Sequence, residues 1–295
     1  MIVGVIGEGE WARGLCSLIA EAGHAPKVGY QKRTIPGFKG TSNLPSLCSE
    51  ADLIIYTCAS NELLPLIKKS KLRPGNFVVI SAKGLEPETG RWLSSVVAEE
   101  SPAIRVGAIA GPAIPSEIAL RHLSALVVAS RYQEVSKRCQ QALHSGICRV
   151  YSSEDLIGIE LAGAMTGMLC IAMGLADSLQ QGLGARGVIV ARGLAEAVRL
   201  GKVLGAEEHS FLGLAGVGDI IANGTENPKY KTGRALGSSG RLDQQSISEL
   251  QALLTLAKTH KVDLPLAKAI FAMANGQLEP RLALDLLMRR APTAE

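Results

Sequence analysis

Short β-branched runs alternate with helical stretches through the first half of this chain, and then they stop. IVGVI at 2–6, PKVGY at 26–30, DLIIYTC at 52–58, FVVIS at 77–81, IRVGAIA at 104–110, SALVVAS at 124–130 and CRVYS at 148–152 read as strands. Between several of them lie helical stretches at Trp11–Ala22, Asn61–Lys68, Trp92–Glu99 and Gln133–His144. Near-continuous apolar strands separated by helices predict a parallel sheet covered on both faces. From Ser153 the text is helical, broken only by turn-forming clusters such as GLGARG, NGTENP and GSSGRLDQ. The expected organisation is therefore an α/β domain over residues 1–152 and an all-helical domain over 153–295.

Charge and cysteine content narrow the partners. The net charge of +4 is spread along the chain, and IKKSKLR at 67–73 is the densest basic run. That is a solvated helix end and not a nucleic-acid footprint. The six cysteines show no CxxC pair or metal-ligand spacing, so reduced thiols and a cytoplasmic location are expected. The N-terminal MIVGVIG lacks the basic region of a signal peptide. Ile159–Ala176 is apolar enough to be tested as a membrane span, but Glu160 and its glycines predict a buried core helix instead. No membrane or nucleic-acid partner and no metal site are expected.

The first strand runs into VIGEGEWARG, which gives Gly7, Gly9 and Ala12 as G-x-G-x-x-A, with Glu10 and Trp11 opening the next helix. At that position glycines allow a tight turn and the close approach of a pyrophosphate, whose charge meets the helix N-terminus. A Rossmann-like, doubly wound domain binding NADP or NAD follows. An acid at the end of the second strand would hydrogen-bond the ribose 2′-hydroxyl of NAD. The residues there are Tyr30, Gln31, Lys32 and Arg33, and the two cations suit the 2′-phosphate of NADP.

Several blocks together resemble the NAD(P)-dependent glycerol-3-phosphate dehydrogenase family: GEGEWARG, SAKGLE, AGPAIPSEIA, VYSSEDLIGIELAGA, ARGLAEAVRLGKVLGA and FLGLAGVGDI, in the family's order from end to end. The resemblance implies a helical C-terminal domain of the 6-phosphogluconate dehydrogenase-like kind and a homodimer. It also implies hydride exchange between the nicotinamide and C2 of dihydroxyacetone phosphate or glycerol 3-phosphate. Carried over by position, Gly7, Gly9 and Trp11 fall on the dinucleotide loop, Lys83 on the A-K-G-L-E lysine, Gly111 on the G-P loop and Asp219 on the G-x-G-D aspartate. Lys83 and Asp219 are then expected in the cleft between the domains, as orienting or proton-transferring groups.

The chain departs from the family where substrate is handled. Where the family has G-A-L-K-N, with its lysine as proton donor, this chain has Gly163, Ala164, Met165, Thr166 and Gly167. Thr166 thus stands in the lysine's place with a hydroxyl that is a poor acid. After Asp219 the family's threonine is replaced by Asn223, and no Arg-Asn pair follows; Lys229 and Lys231 are the cations left for a phosphate. Ala113 stands where the G-P loop carries a serine or threonine. The family function is thus expected alongside two alternatives: a reductase of another ketone or imine, and a dinucleotide-binding protein without turnover. Hydride addition to an iminium needs no proton donor.

Overall fold

The computed structural model describes residues 1–283, so the end of the expected second domain, 284–295, lies outside the described residues. The first half alternates as its text predicts. Strands β1 (Ile2–Ile6), β2 (Ala25–Gly29), β3 (Gly40–Thr41), β4 (Leu53–Tyr56), β5 (Phe77–Ile80), β6 (Arg105–Ala110), β7 (Ser124–Ala129) and β8 (Cys148–Ser153) form one sheet in the order β3-β2-β1-β4-β5-β6-β7-β8. The order reverses beside β1, and the crevice beyond the strand ends at such a switch point is where ligands bind in open α/β sheets.

Both faces of the sheet are covered. Helices α1 (Glu10–Glu21) and α6 (Gln133–Leu143) bury Leu15, Ile19, Val135 and Cys139 against Val3, Val5, Ile55 and Val79 on one side. On the other side α2 (Leu44–Glu50), α3 (Ser60–Ser70) and α4 (Leu93–Glu100) bury Leu47, Leu63, Ile67 and Val96 against Ile54, Tyr56, Val78 and Ile80. Successive residues of one strand thus feed opposite cores, which is why these strands read as unbroken apolar runs. All six cysteines are buried and unpaired.

Two features differ from the expectation of seven strands in a purely parallel sheet. Strand β7 runs antiparallel to β6. The connection between them holds only the one-turn helix α5 (Pro115–Ala119), which stays at the C-terminal end of β6, so the chain re-enters the sheet in the opposite direction. In addition, the segment after β2 forms the two-residue strand β3 and then α2, with Asn43 capping α2 by accepting from the Ser46 amide. A two-residue strand has no alternation to betray it.

After β8 the chain is helical: α7 (Leu156–Ser178), α8 (Gly182–Leu204), α9 (Glu208–Leu212), a π-turn at Leu214–Gly218, α10 (Asp219–Asn223), α11 (Pro228–Ser239), α12 (Gln244–Thr259) and α13 (Pro265–Ala274). Asp155 caps α7 by accepting from Gly158 N at 2.8 Å. By length and hydropathy α7 could cross a membrane, yet 78% of its apolar window is buried inside the fold. It is the central post of the second half. Helix α11 lies directly against it: a Cβ on Gly174 would fall 2.0 Å from the Tyr230 carbonyl, and one on Gly233 would fall 2.0 Å from the Ile171 carbonyl. Only glycine permits that approach. It brings the N-terminal residues of α11 over the cleft.

Candidate active site

A trough of three adjoining cavities runs along the C-terminal edge of the sheet. The first, about 450 Å³, lies between Gly7, Glu8 and Gly9 of the glycine loop and Gln31 and Lys32 after β2. It shares Gly9 with a second of about 600 Å³, bordered by Glu10, Trp11, Gly111, Ala113 and Asn223. That cavity in turn shares Lys83, Asn227 and Pro228 with a third of about 370 Å³ under α12. An extended two-ended ligand fits such a path, and Lys83 borders two of its three parts.

The glycine loop is shaped for a pyrophosphate. Gly7 has φ +154, and a Cβ there would meet Thr57 Oγ1 at 2.0 Å, whereas a Cβ on Gly9 would meet nothing within 4 Å. The free space beside Gly9 lies over the N-terminus of α1, which no side chain caps. First-turn amides without intrahelical partners and the positive end of the helix dipole are therefore available to an anion. Ala12 is buried, as the third position of the fingerprint requires for close helix–sheet packing. The Trp11 indole donates to Ser81 Oγ, tying α1 to the end of β5 two residues before Lys83. These residues fit a dinucleotide.

Lys83 follows β5 on the turn that contains Gly84 (φ +106). Its stem lies along α7, where Gly163 has no side chain: a Cβ there would sit 3.4 Å from Lys83 Cγ. The ammonium donates to Asp219 Oδ2, and Asn223 Nδ2 donates to the other oxygen, Oδ1, at 2.7 Å. Asp219 is fully buried, while the Lys83 side chain keeps 34% of its exposure. The carboxylate is thus an anchor, and the ammonium faces the cleft.

On the far wall Lys229 Nζ bonds Glu249 Oε2 at 2.6 Å and donates to Ser246 Oγ at 2.9 Å. Glu249 also accepts from Ser60 Oγ at 3.1 Å and from Gln245 Nε2 at 2.9 Å. Burial pushes the Asp243 carboxyl up, but hydrogen bonds from Ser246 and the Lys229 charge more than offset it and hold the group below its ordinary value. This wall is polar, and its Lys229 ammonium stands among two carboxylates, Glu249 and Asp243.

The residues singled out by sequence divide accordingly. Gly7, Gly9, Glu10, Trp11, Lys83, Gly111, Asn223 and Lys229 border the trough, and Asp219 lies directly behind Lys83. Lys231 does not join them: it is exposed on α11, two residues from Lys229, and residues two apart on a helix point to nearly opposite sides. Thr166 does not either. It is fully buried, borders none of the three cavities, and donates its hydroxyl to the Ala162 carbonyl at 2.9 Å. Lys32 borders the first cavity and Arg33 is exposed beside it. Sequence reasoning missed Glu8, Ser60, Asp243, Ser246 and Glu249. Of these only Asp243 left a trace, as an N-cap aspartate before α12.

A doubly wound sheet, an uncapped glycine-loop helix and a lysine–aspartate pair where two of the cavities meet together fit a dinucleotide-dependent dehydrogenase with a helical second half. Known proteins resolve the class further. Residues 33–136 match the NAD-dependent glycerol-3-phosphate dehydrogenase N-terminus and residues 155–285 match the C-terminus of the same family. Glycerol-3-phosphate dehydrogenase (NAD(P)+) of Ectopseudomonas mendocina is 31% identical, the match covering 99% of this chain and 96% of that protein. Its counterpart in Thermobifida fusca is 31% identical over 99% of this chain and 98% of that protein. The crystal structure of glycerol-3-phosphate dehydrogenase from Coxiella burnetii superposes with a TM-score of 0.89 at 25% identity, covering 98% of this chain and 99% of that one. The chain belongs to the NAD(P)-dependent glycerol-3-phosphate dehydrogenase family, and it is an NAD(P)-dependent oxidoreductase.

Proposed function

We propose that the chain interconverts a small ketone and its alcohol at Lys83, with residues 1–152 binding the dinucleotide and those from 153 onward enclosing the substrate. By the relatives' name, dihydroxyacetone phosphate and glycerol 3-phosphate are the first substrate pair to consider. The observation that carries this reading is the Lys83 ammonium, which borders both the glycine-loop side and the α12 side of the cleft and is anchored by Asp219. When bound, the nicotinamide supplies or accepts the hydride at the carbonyl carbon. Lys83 holds the carbonyl oxygen through Nζ and gives it a proton as negative charge develops there. Asp219 keeps the ammonium oriented, and water at the exposed edge of Lys83 restores the proton. Asn223 fixes Asp219 in turn. The six buried free thiols support a reducing, cytosolic setting, and the family resemblance supports a homodimer.

The Lys229–Glu249 pair favours a second reading. A phosphate dianion entering the third cavity would find Lys229 already neutralised, and no arginine among the described residues borders that space. A phosphate-free ketone or an imine needs no such clamp. Steady-state assays of the purified protein with NADH and NADPH decide the matter. Turnover of dihydroxyacetone phosphate is the result expected from the first reading. Turnover confined to phosphate-free ketones or imines establishes the second, and cofactor binding without turnover of any of them overturns both.

A further inference from the structure

Cofactor preference in this fold is set at the end of β2, where a carboxylate binds the ribose diol of NAD and cations bind the 2′-phosphate of NADP. Residues 28–33, VGYQKR, contain no acid. A carboxylate nevertheless stands there. Glu8, the residue between the two glycines of the loop, reaches across so that its Oε1 accepts from the Gln31 amide at 2.5 Å and the Lys32 amide at 2.7 Å.

We propose that Glu8 is the residue that selects the cofactor, binding the adenosine ribose hydroxyls of NAD and excluding the 2′-phosphate of NADP. The proposal rests on NAD(P) use and is independent of the substrate. Three observations carry it. Glu8 borders the cavity of about 450 Å³ next to the glycine loop, so its carboxylate lines the space that the adenosine end of a dinucleotide enters. The Gln31 and Lys32 amides both end on Oε1, so Oε2 keeps a lone pair able to accept from a ribose hydroxyl. Those same amides are the donors a 2′-phosphate would seek, so an NADP phosphate must displace Glu8 or share its site with a like charge.

The competing signal is the cationic pair Lys32 and Arg33. Both side chains belong to exposed residues, free to remain solvated, while the carboxylate is held by backbone hydrogen bonds. Desolvation pushes the Glu8 carboxyl up, but the amides of Lys32, Gln31 and Arg33 and the Lys32 charge outweigh it and leave the group more acidic than an ordinary glutamate. The anion is therefore in place at neutral pH.

Fluorescence titrations of the full chain with NADH and with NADPH, repeated on Glu8→Gln and Glu8→Ala, test the assignment. The parent should bind NADH at least about 10-fold more tightly than NADPH. Glu8→Gln keeps an acceptor for the amides and should fold like the parent by thermal melting. It should gain about 10- to 100-fold in NADPH affinity while NADH weakens, and Glu8→Ala should follow in the same direction. A parent that prefers NADPH, or a folded Glu8→Gln whose NADH-to-NADPH ratio is unchanged, overturns the proposal. A parent that binds neither nucleotide overturns the cofactor reading, and Glu8's role with it.

Discussion

Lys83 is placed by residues that lie far from it in sequence: its stem lies against Gly163, Asp219 takes its charge, and Asn223 holds Asp219. Lys83→Met keeps the bulk of the stem and removes the donors, so kcat/KM for whichever substrate is turned over should fall by at least about 10²-fold while cofactor affinity changes little. The same variant should also lose stability, because it strands a fully buried carboxylate. Lys83→Met with Asp219→Asn should therefore melt higher than Lys83→Met alone, and the reverse order would show that the pair is not an electrostatic unit. Thr166 makes the contrasting case. Its hydroxyl is satisfied by the backbone one turn earlier, so Thr166→Val should leave kcat within about two-fold of the parent in the same assay, far short of the loss expected for a proton-transfer group. The glycines were legible in the sequence from the tight turn their loop needs, whereas Lys83 and Asp219 were expected in the cleft only through the family resemblance of their blocks. Glu8 and Glu249 were legible in neither way, since each acts through partners 24 and 189 residues away, at Lys32 and Ser60.

At the scale of elements, α7 was legible as a buried helix from its apolar length, but its ties to neighbouring helices were not. Glu160 on α7 accepts from Ser94 N at 2.9 Å and from Ser94 Oγ, which joins the post of the helical half to the first turn of α4. Burial pushes its carboxyl up to about 7 against the opposing pull of the Ser94 and Leu93 hydrogen bonds. Glu196 on α8 is also pushed up to about 7 by burial while it accepts from Leu266 N at 2.8 Å at the start of α13. An acid with a raised native pKa contributes stability that is fully present below its unfolded value and is lost as pH rises through the native one. Denaturant melts should therefore show stability falling between about pH 5 and 8, by on the order of 1–3 kcal/mol for each group. Glu160→Gln can keep one accepting and one donating contact to Ser94 without ionising, so its profile should lose part of that slope. A slope equal to the parent's would mean that Glu160 is ionised throughout.

The two halves of the molecule differ in texture but share a core. Ala108 and Ala110 of β6 and Val127 and Ala129 of β7 belong to the same buried cluster as Leu161, Met165 and Leu169 of α7. The sheet edge that carries the glycine loop therefore cannot separate from the helical half without exposing apolar surface on both. The change from strands to helices at Ser153 is plain in the sequence, whereas this shared cluster is not, because small residues at strand ends carry no periodic signal of their partner. Its consequence is cooperative unfolding, which calorimetry can measure: a single transition is expected. NADH, bound by the first half in the proposed reading, should then move that whole transition upward. At 100 times its dissociation constant the added stability is about 2.7 kcal/mol, and for a chain of this size that amounts to several degrees. Gly7→Val should abolish the shift, since a Cβ at that position meets Thr57 Oγ1 at 2.0 Å and distorts the loop proposed to receive the pyrophosphate. Two resolved transitions, with NADH moving only one, would mean that the sheet and the helical half unfold as separate units in spite of the side chains they share.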